Sequence, residues 1–282
     1  MRVENVTGPI AHHAEGPVWH PAWGGLRWVD AEAGDLLTLT DDGVRRMHID
    51  DAYLAFVRPR TAGGFVAVGA HDLYLSDGSD ELPRRVATLI SDPAVRMNDG
   101  CCDPEGRLLA GSMAYDATPG AGSLLRIDPD GTIAPLLAAV GVSNGVAFSP
   151  SGERAYYVDS LSHRVDVLDF AGGELAGRRS FAAIPDADGI PDGLAVAADG
   201  SVWVAVWGGS QVIGFDESGA EIARIPVPVP QVSACAFGGD DLRTLYITTS
   251  AQGLGRAHGT EAGSLYAARL DLPGLPVLPF AG

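Results

Sequence analysis

One short pattern of polar and apolar positions recurs along the chain. A polar residue is followed by glycine, then a brief apolar run, then a turn marked by proline or glycine. The clearest copy spans 142–152, where Asn144-Gly145 leads into Val146-Ala-Phe148 and the turn holds Pro150 and Gly152. Glu15-Gly-Pro-Val-Trp-His-Pro21 and Asn98-Asp-Gly-Cys-Cys-Asp-Pro104 repeat it. Asp192-Gly-Leu-Ala-Val-Ala-Ala198 and Ser233-Ala-Cys-Ala-Phe-Gly-Gly239 repeat it with the proline replaced, and a weaker copy runs from Tyr53 to Pro59. Aligned, the copies place Glu15, Tyr53, Asn98, Asn144, Asp192 and Ser233 at one position. Their separations are 38, 45, 46, 48 and 41 residues.

This period of roughly 40–48 residues is the length of a propeller blade, four short strands joined by turns. Alternation and β-branched or aromatic enrichment predict the strands. In the first unit they fall at 18–19, 26–29 and 35–39, and Asp41-Asp-Gly43 turns the chain toward an outer fourth strand. The second unit has 52–57, 65–68 and 72–75; the third has 107–110 and 123–127, with 113–122 an insertion able to reach over a channel mouth. Strands at 146–148, 155–158 and 164–170, then 194–196, 202–206 and 211–215, then 234–237, 244–248 and 264–270 complete the set. The loop 250–263 carries several glycines. Residues 2–7 are too short for a blade and are expected to pair as the outer strand of the sixth unit. No segment shows helical periodicity over three turns, and no domain boundary is visible. The prediction is all-β: a single six-bladed β-propeller over 1–282, with four-stranded blades and a ring closed by the N-terminal strand.

The first strand of each blade lines the central channel, so the six aligned residues, which precede those strands in this reading, are expected to ring one mouth. Core strands normally begin apolar, because a buried charge costs several kcal/mol unless it is paired or metal-bound. Two carboxylates converging with two carboxamides therefore call for a cation or a proton between them. An all-oxygen donor set suits Ca²⁺, Mg²⁺ or Mn²⁺; zinc more often brings His or Cys. Asn-Gly and Asp-Gly are also ordinary hairpin signals, and one pair alone would be read as a turn. A polar residue at one register in most units favours a shared site.

Composition narrows the partners. A formal charge of −17 argues against nucleic acid or an anionic membrane surface. All 19 basic residues are arginine, which excludes a Schiff base through lysine. The first residues lack an apolar signal core, and no run of about 18 uncharged apolar residues occurs. With three cysteines, two of them adjacent, a disulfide framework is a poor fit and a cytoplasmic location is expected. The cysteines sit in apolar runs and read as core residues. Asp159, Ser160 and His163 lie too close together, with no nucleophile elbow, to suggest a triad. They read as a blade turn, with Asp159 a candidate neighbour of Asn144. His12, His13 and His20 read as exposed or turn histidines; His48, His71 and His258 have no evident partner. Trp19, Trp28, Trp203 and Trp207 fit blade packing, and Trp207 could border the mouth.

Motifs in order along nearly the whole chain resemble the SMP-30/gluconolactonase/regucalcin-like family of sugar lactonases. They are Glu15-Gly-Pro17, Arg96-Met-Asn-Asp-Gly100 with Asp103-Pro-Glu-Gly106, Gly111-Ser-Met113, Ser143-Asn-Gly145 and Tyr156-Tyr-Val-Asp-Ser160. Ile190-Pro-Asp-Gly193 before Val202-Trp-Val-Ala205, and Cys235-Ala-Phe-Gly-Gly239, complete the series. The resemblance implies that Glu15, Asn144 and Asp192 ligate one divalent metal. Calcium ranks first, with zinc, manganese, magnesium or iron as alternatives. Asn98 would contact metal-side water or substrate, Arg96 the substrate hydroxyls, and Asp116 matches the second acid of a pair whose first is replaced by Tyr115. The implied activity is hydrolysis of an aldonolactone, with the carbonyl polarised by the metal and Asp192 as general base. Two other readings stay open: a phosphotriester or aryl-ester hydrolase on the same site, and a non-catalytic propeller braced by its ion. The small-molecule partner would be a sugar lactone, and a monomer is the expected state.

Overall fold

The computed structural model describes residues 2–254 and 261–282, and within these the strands form six four-stranded antiparallel sheets. The first is built from Ala14–His20, Gly25–Asp30, Asp35–Thr40 and Gly43–His48. The next four occupy 54–88, 95–140, 143–183 and 190–226, each in simple meander order. The sixth takes Val232–Gly238, Thr244–Thr249 and Ser264–Arg269, and its outer strand is Val3–Pro9 from the other end of the chain. Pairing of Val3 with Ala268 and Asn5 with Tyr266 closes the ring without a free edge at the seam, as the sequence predicts.

Burial falls off outward across each blade. Inner strands such as Leu54–Pro59 are buried at nearly every position, whereas outer strands such as Gly43–His48 are largely exposed. Between blades the apolar faces interlock: Val29, Leu36, Phe56, Phe65 and Met97 pack across the first three, and Tyr156, Val165, Val204 and Ile213 join the fourth and fifth. Trp28 and Trp203 are fully buried. The thiols of Cys102 and Cys235 are also interior, and burial pushes both up to about 12, which fits the reading of core residues.

The aligned polar positions differ in one respect from expectation. All but Tyr53 lie inside the inner strands: Glu15 in Ala14–His20, Asn98 in Val95–Cys102, Asn144 in Ser143–Phe148, Asp192 in Ile190–Val196 and Ser233 in Val232–Gly238. Each of the six inner strands breaks register there. The shifts fall between Glu15 and Val18, Leu54 and Phe56, Met97 and Gly100, Ser143 and Val146, Pro191 and Leu194, and Val232 and Ala234. A bulge re-aims a side chain that regular pleating would place against the neighbouring blade. The recurrent glycine has a steric cause. A Cβ on Gly145 would lie 2.7 Å from the Leu194 nitrogen, and one on Gly193 would lie 2.5 Å from the Ala234 Cβ. Gly145 and Gly193 let one inner strand press on the next, so Asn-Gly and Asp-Gly here are bulges and not hairpin turns.

The predicted insertion at 113–122 is shorter than expected, because Leu108–Ala114 continues as strand and the next begins at Gly122. Of the loop 250–263, residues 255–260, including His258, lie outside the described residues. Substituting Gly193 by Ala should cost about 1–3 kcal/mol, the usual range for overpacking against backbone. The unfolding midpoint, read by calorimetry, should fall by several degrees; an unchanged midpoint would contradict the close approach.

Candidate functional site

Four bulged strands bring oxygen and nitrogen groups to one channel mouth, linked by a relay that crosses three blades. Arg96 Nη1 donates to Asn98 Oδ1 at 2.5 Å and to the Met97 carbonyl at 3.1 Å. Asn98 Nδ2 donates to Asn144 Oδ1 at 3.1 Å and to the Ser143 carbonyl at 3.0 Å. Asn144 Nδ2 donates to Ser160 Oγ at 2.9 Å, and Ser160 Oγ donates to the carbonyl of Pro191, next to Asp192, at 2.7 Å. Both faces of the Asn144 amide are thereby fixed in orientation.

Tyr53 and His13 form the wall beside this relay. The Arg96 guanidinium carbon stands 4.0 Å from the Tyr53 ring centroid, so a cation–π stack holds it in place, with Nη1 spent on the relay. Among the described residues, no protein partner is recorded for Arg96 Nε or Nη2. His13 meets Trp207 edge-on at 5.8 Å, and its Nδ1 lies 2.9 Å from Ser250 Oγ. Burial, helped by Arg96, pulls the His13 imidazole down to about 4, leaving it neutral.

The two ring carboxyls carry the strongest electrostatic signature. Burial pushes Glu15 up to about 8; Asp99 adds to the rise, while the Gly16 N–H and Arg96 oppose it. Asp192, only 5% exposed, is pushed well above the usual carboxylate range, by burial first and then by Glu15 and Asp99, while the Gly193 N–H and Arg96 oppose the rise. Asp192 Oδ1 is buried with no hydrogen-bond partner among the described residues. An orphaned carboxylate oxygen with a second, half-buried carboxyl and an oriented amide oxygen on other inner strands suits a hard divalent cation. No three His, Cys, Asp or Glu side chains gather to hold a metal among the described residues, so a carboxamide oxygen would have to complete the set. That is an oxygen site, unlike the Cys- and His-rich sets typical of zinc.

Several sequence-based expectations change. His13 is interior and neutral, where an exposed or turn histidine was expected; His12 is exposed and pairs with Glu32 at 2.6 Å. Asp159 pairs with Ser143, next to Asn144, but its carboxylate accepts the N–H groups of Gly141 and Val142, and Ser160 is the neighbour that orients the amide. Ser233 turns to the Ala14 carbonyl at 2.6 Å and to Thr248, so its hydroxyl serves blade contact. Asp116 is exposed and caps its own turn, accepting from Thr118 N at 3.0 Å and Thr118 Oγ1 at 2.7 Å. The structure records no contact between Asp116 and the ring. Tyr115 stands nearer, with its ring centroid 5.9 Å from the Arg96 guanidinium carbon. Trp207 does border the His13 wall.

The architecture defines the molecule as a six-bladed propeller with acidic and amide oxygens gathered on its axis. The model of the SMP-30/gluconolactonase/LRE-like region matches residues 13–251, and the chain belongs to that family. It is 34% identical over 288 residues to the pentonolactonase XacC of Haloferax volcanii, covering 96% of this chain and 95% of that protein. It is 33% identical over 297 residues to regucalcin of Sus scrofa, covering 100% and 99%. Among solved structures, regucalcin of Agrobacterium tumefaciens, described as a calcium-binding protein, superimposes with a TM-score of 0.90 at 26% identity, over 96% of this chain and 94% of that one.

The carboxyl shifts fix how stability and cation binding respond to pH. In metal-free protein, Glu15 and Asp192 bind protons more tightly folded than unfolded, so their stabilising contribution is complete below the ordinary values of 4.5 and 3.8. It is lost as the pH rises through the raised folded values, about 8 for Glu15. The unfolding midpoint of chelated protein should therefore drop between about pH 5 and 9, and a saturating divalent cation should suppress the drop. Calorimetric titration at pH 7 in buffers of differing ionisation enthalpy should show proton release on cation binding. No release would contradict the assignment.

Proposed function

We propose that the chain hydrolyses an aldonolactone to the aldonic acid at the ringed mouth, using one divalent cation held by Glu15, Asn144 and Asp192. The observation that carries this reading is the buried, unpartnered Asp192 Oδ1 beside a second raised carboxyl. Family membership and a pentonolactonase relative point to the substrate class. When bound, the cation supplies Lewis acidity toward the lactone carbonyl and lowers the pKa of the carboxylates around it.

The chain's own groups divide the remaining work. Asp192, whose carboxyl burial raises and a neighbouring cation would lower, takes a proton from the attacking water as the water oxygen bonds to the carbonyl carbon. It returns a proton to the ring oxygen when the acyl C–O bond breaks, giving the hydroxy acid. Arg96 offers Nε and Nη2 as a planar fork for substrate hydroxyls, held in place by its stack on Tyr53. Asn98 couples that arginine to Asn144 and so fixes the amide oxygen's direction. Neutral His13 lines the wall without adding a positive charge that would compete for the carboxylates. Asp116 is assigned to substrate on the motif alone, and reaching it would require release from its own turn.

Proton release on a panel of pentono- and hexonolactones, with an aryl ester and a phosphotriester for contrast, tests the reading. Turnover should be confined to lactones and abolished by chelator. Asp192→Ala should lower kcat by about 10²–10⁴-fold, the contribution of a positioned acid–base group, with cooperative unfolding retained. Silence on every lactone with a full cation complement would leave a binding propeller; turnover by the variant would remove Asp192 as base.

A further inference from the structure

The inner strands run from the polar ring to the opposite end of the channel, where they enclose a second, chemically different space. This cavity has a volume of about 450 Å³, within the range of about 300–1,000 Å³ typical of small-molecule sites. Its walls are Trp19, Val146, Phe148, Val196 and Phe237 from four blades. Its floor is the C-terminal segment. That segment is anchored on one side where Gly274 N donates to the Leu242 carbonyl at 2.7 Å and Leu275 N to the Val196 carbonyl at 3.2 Å. On the other side Phe280 N donates to the Pro59 carbonyl at 2.7 Å and Ala281 N to the Gly106 carbonyl at 2.8 Å. Between the anchors, residues 276–279 record no backbone hydrogen bond, and Val277 and Leu278 face the cavity.

Two charged groups sit at the ring end of this space. Arg58 is spent: it donates to the carbonyls of Val57 and Gly100 and stacks on Phe56 at 5.1 Å. Asp99 is not. Its Oδ1 accepts from Gly100 N at 2.7 Å and lies 3.7 Å from Arg58, and among the described residues Oδ2 has no recorded partner. An apolar slot with one open acceptor at its end selects an apolar molecule with a single donor, and rejects an anion.

We propose that the far end of the channel is a second small-molecule site, taking an uncharged apolar molecule whose one hydrogen-bond donor meets Asp99 Oδ2. Its test does not involve turnover, so it stands apart from the lactone reading, while Asp99 also bears electrostatically on Glu15 and Asp192. Indole and 1-methylindole are suitable probes, nearly equal in shape and differing in the donor. Calorimetric titration of the full chain with indole should give saturable 1:1 binding, with 1-methylindole at least tenfold weaker and benzoate not bound. Ala236→Phe and Val277→Trp, which fill the cavity from a blade and from the floor, should each abolish binding at an unchanged unfolding midpoint. Should a filled variant fold poorly, nuclear Overhauser contacts from indole to the Val277 and Leu278 methyls of the unmodified protein locate the ligand directly. Absence of saturable binding at millimolar indole, contacts elsewhere, or binding that survives both fills overturns the site. Equal affinity for the two indoles overturns the role of Asp99.

Discussion

Holding one buried and one half-buried carboxyl group, Asp192 and Glu15, beneath one channel mouth is the constraint that organises this molecule. Each ionised carboxylate taken from water costs several kcal/mol unless something replaces its hydration. Nothing in the described protein does so for Asp192 Oδ1, and the Arg96 guanidinium stacked on Tyr53 only partly opposes the rise at Glu15. The raised carboxyls favour protons on the free protein. The cation we propose here would compete with those protons, and that competition would make the mouth responsive to pH.

The fold accommodates the constraint through a local defect repeated six times. A regular inner strand would direct alternate side chains onto neighbouring blades, where a carboxyl would meet apolar packing. The bulge at each copy changes that direction, and glycines such as Gly145 and Gly193 let adjacent strands approach despite it. Beyond the bulge the strands resume an apolar pattern, so one channel carries a polar end and an apolar end. Asn98 and Asp99 divide along that line: Asn98 joins the relay at the mouth, and Asp99 lines the cavity below it.

The blade count and the closing N-terminal strand were legible in the sequence because each is tied to a repeated local requirement. In the copies at Glu15, Asn144 and Asp192, polar residue, glycine and apolar run coincide with a bulge. What was not legible arises from contacts between distant segments. Ser160 reaches Asn144 only because blade four folds its second strand back, and Asp159 beside it is drawn into a turn instead. His13 reads as a turn histidine until Trp207, from blade five, covers it. Asp116 shows the opposite failure, since its motif position says nothing of Thr118, which occupies the carboxylate.

The central claim is that Glu15, Asn144 and Asp192 share one cation. Diffraction from crystals grown in calcium, collected at long wavelength, tests it most directly. The account predicts one anomalous peak on the channel axis, at about 2.3–2.6 Å from an oxygen of each of the three side chains. A featureless axis at saturating calcium, or a peak bound by other residues, would contradict it.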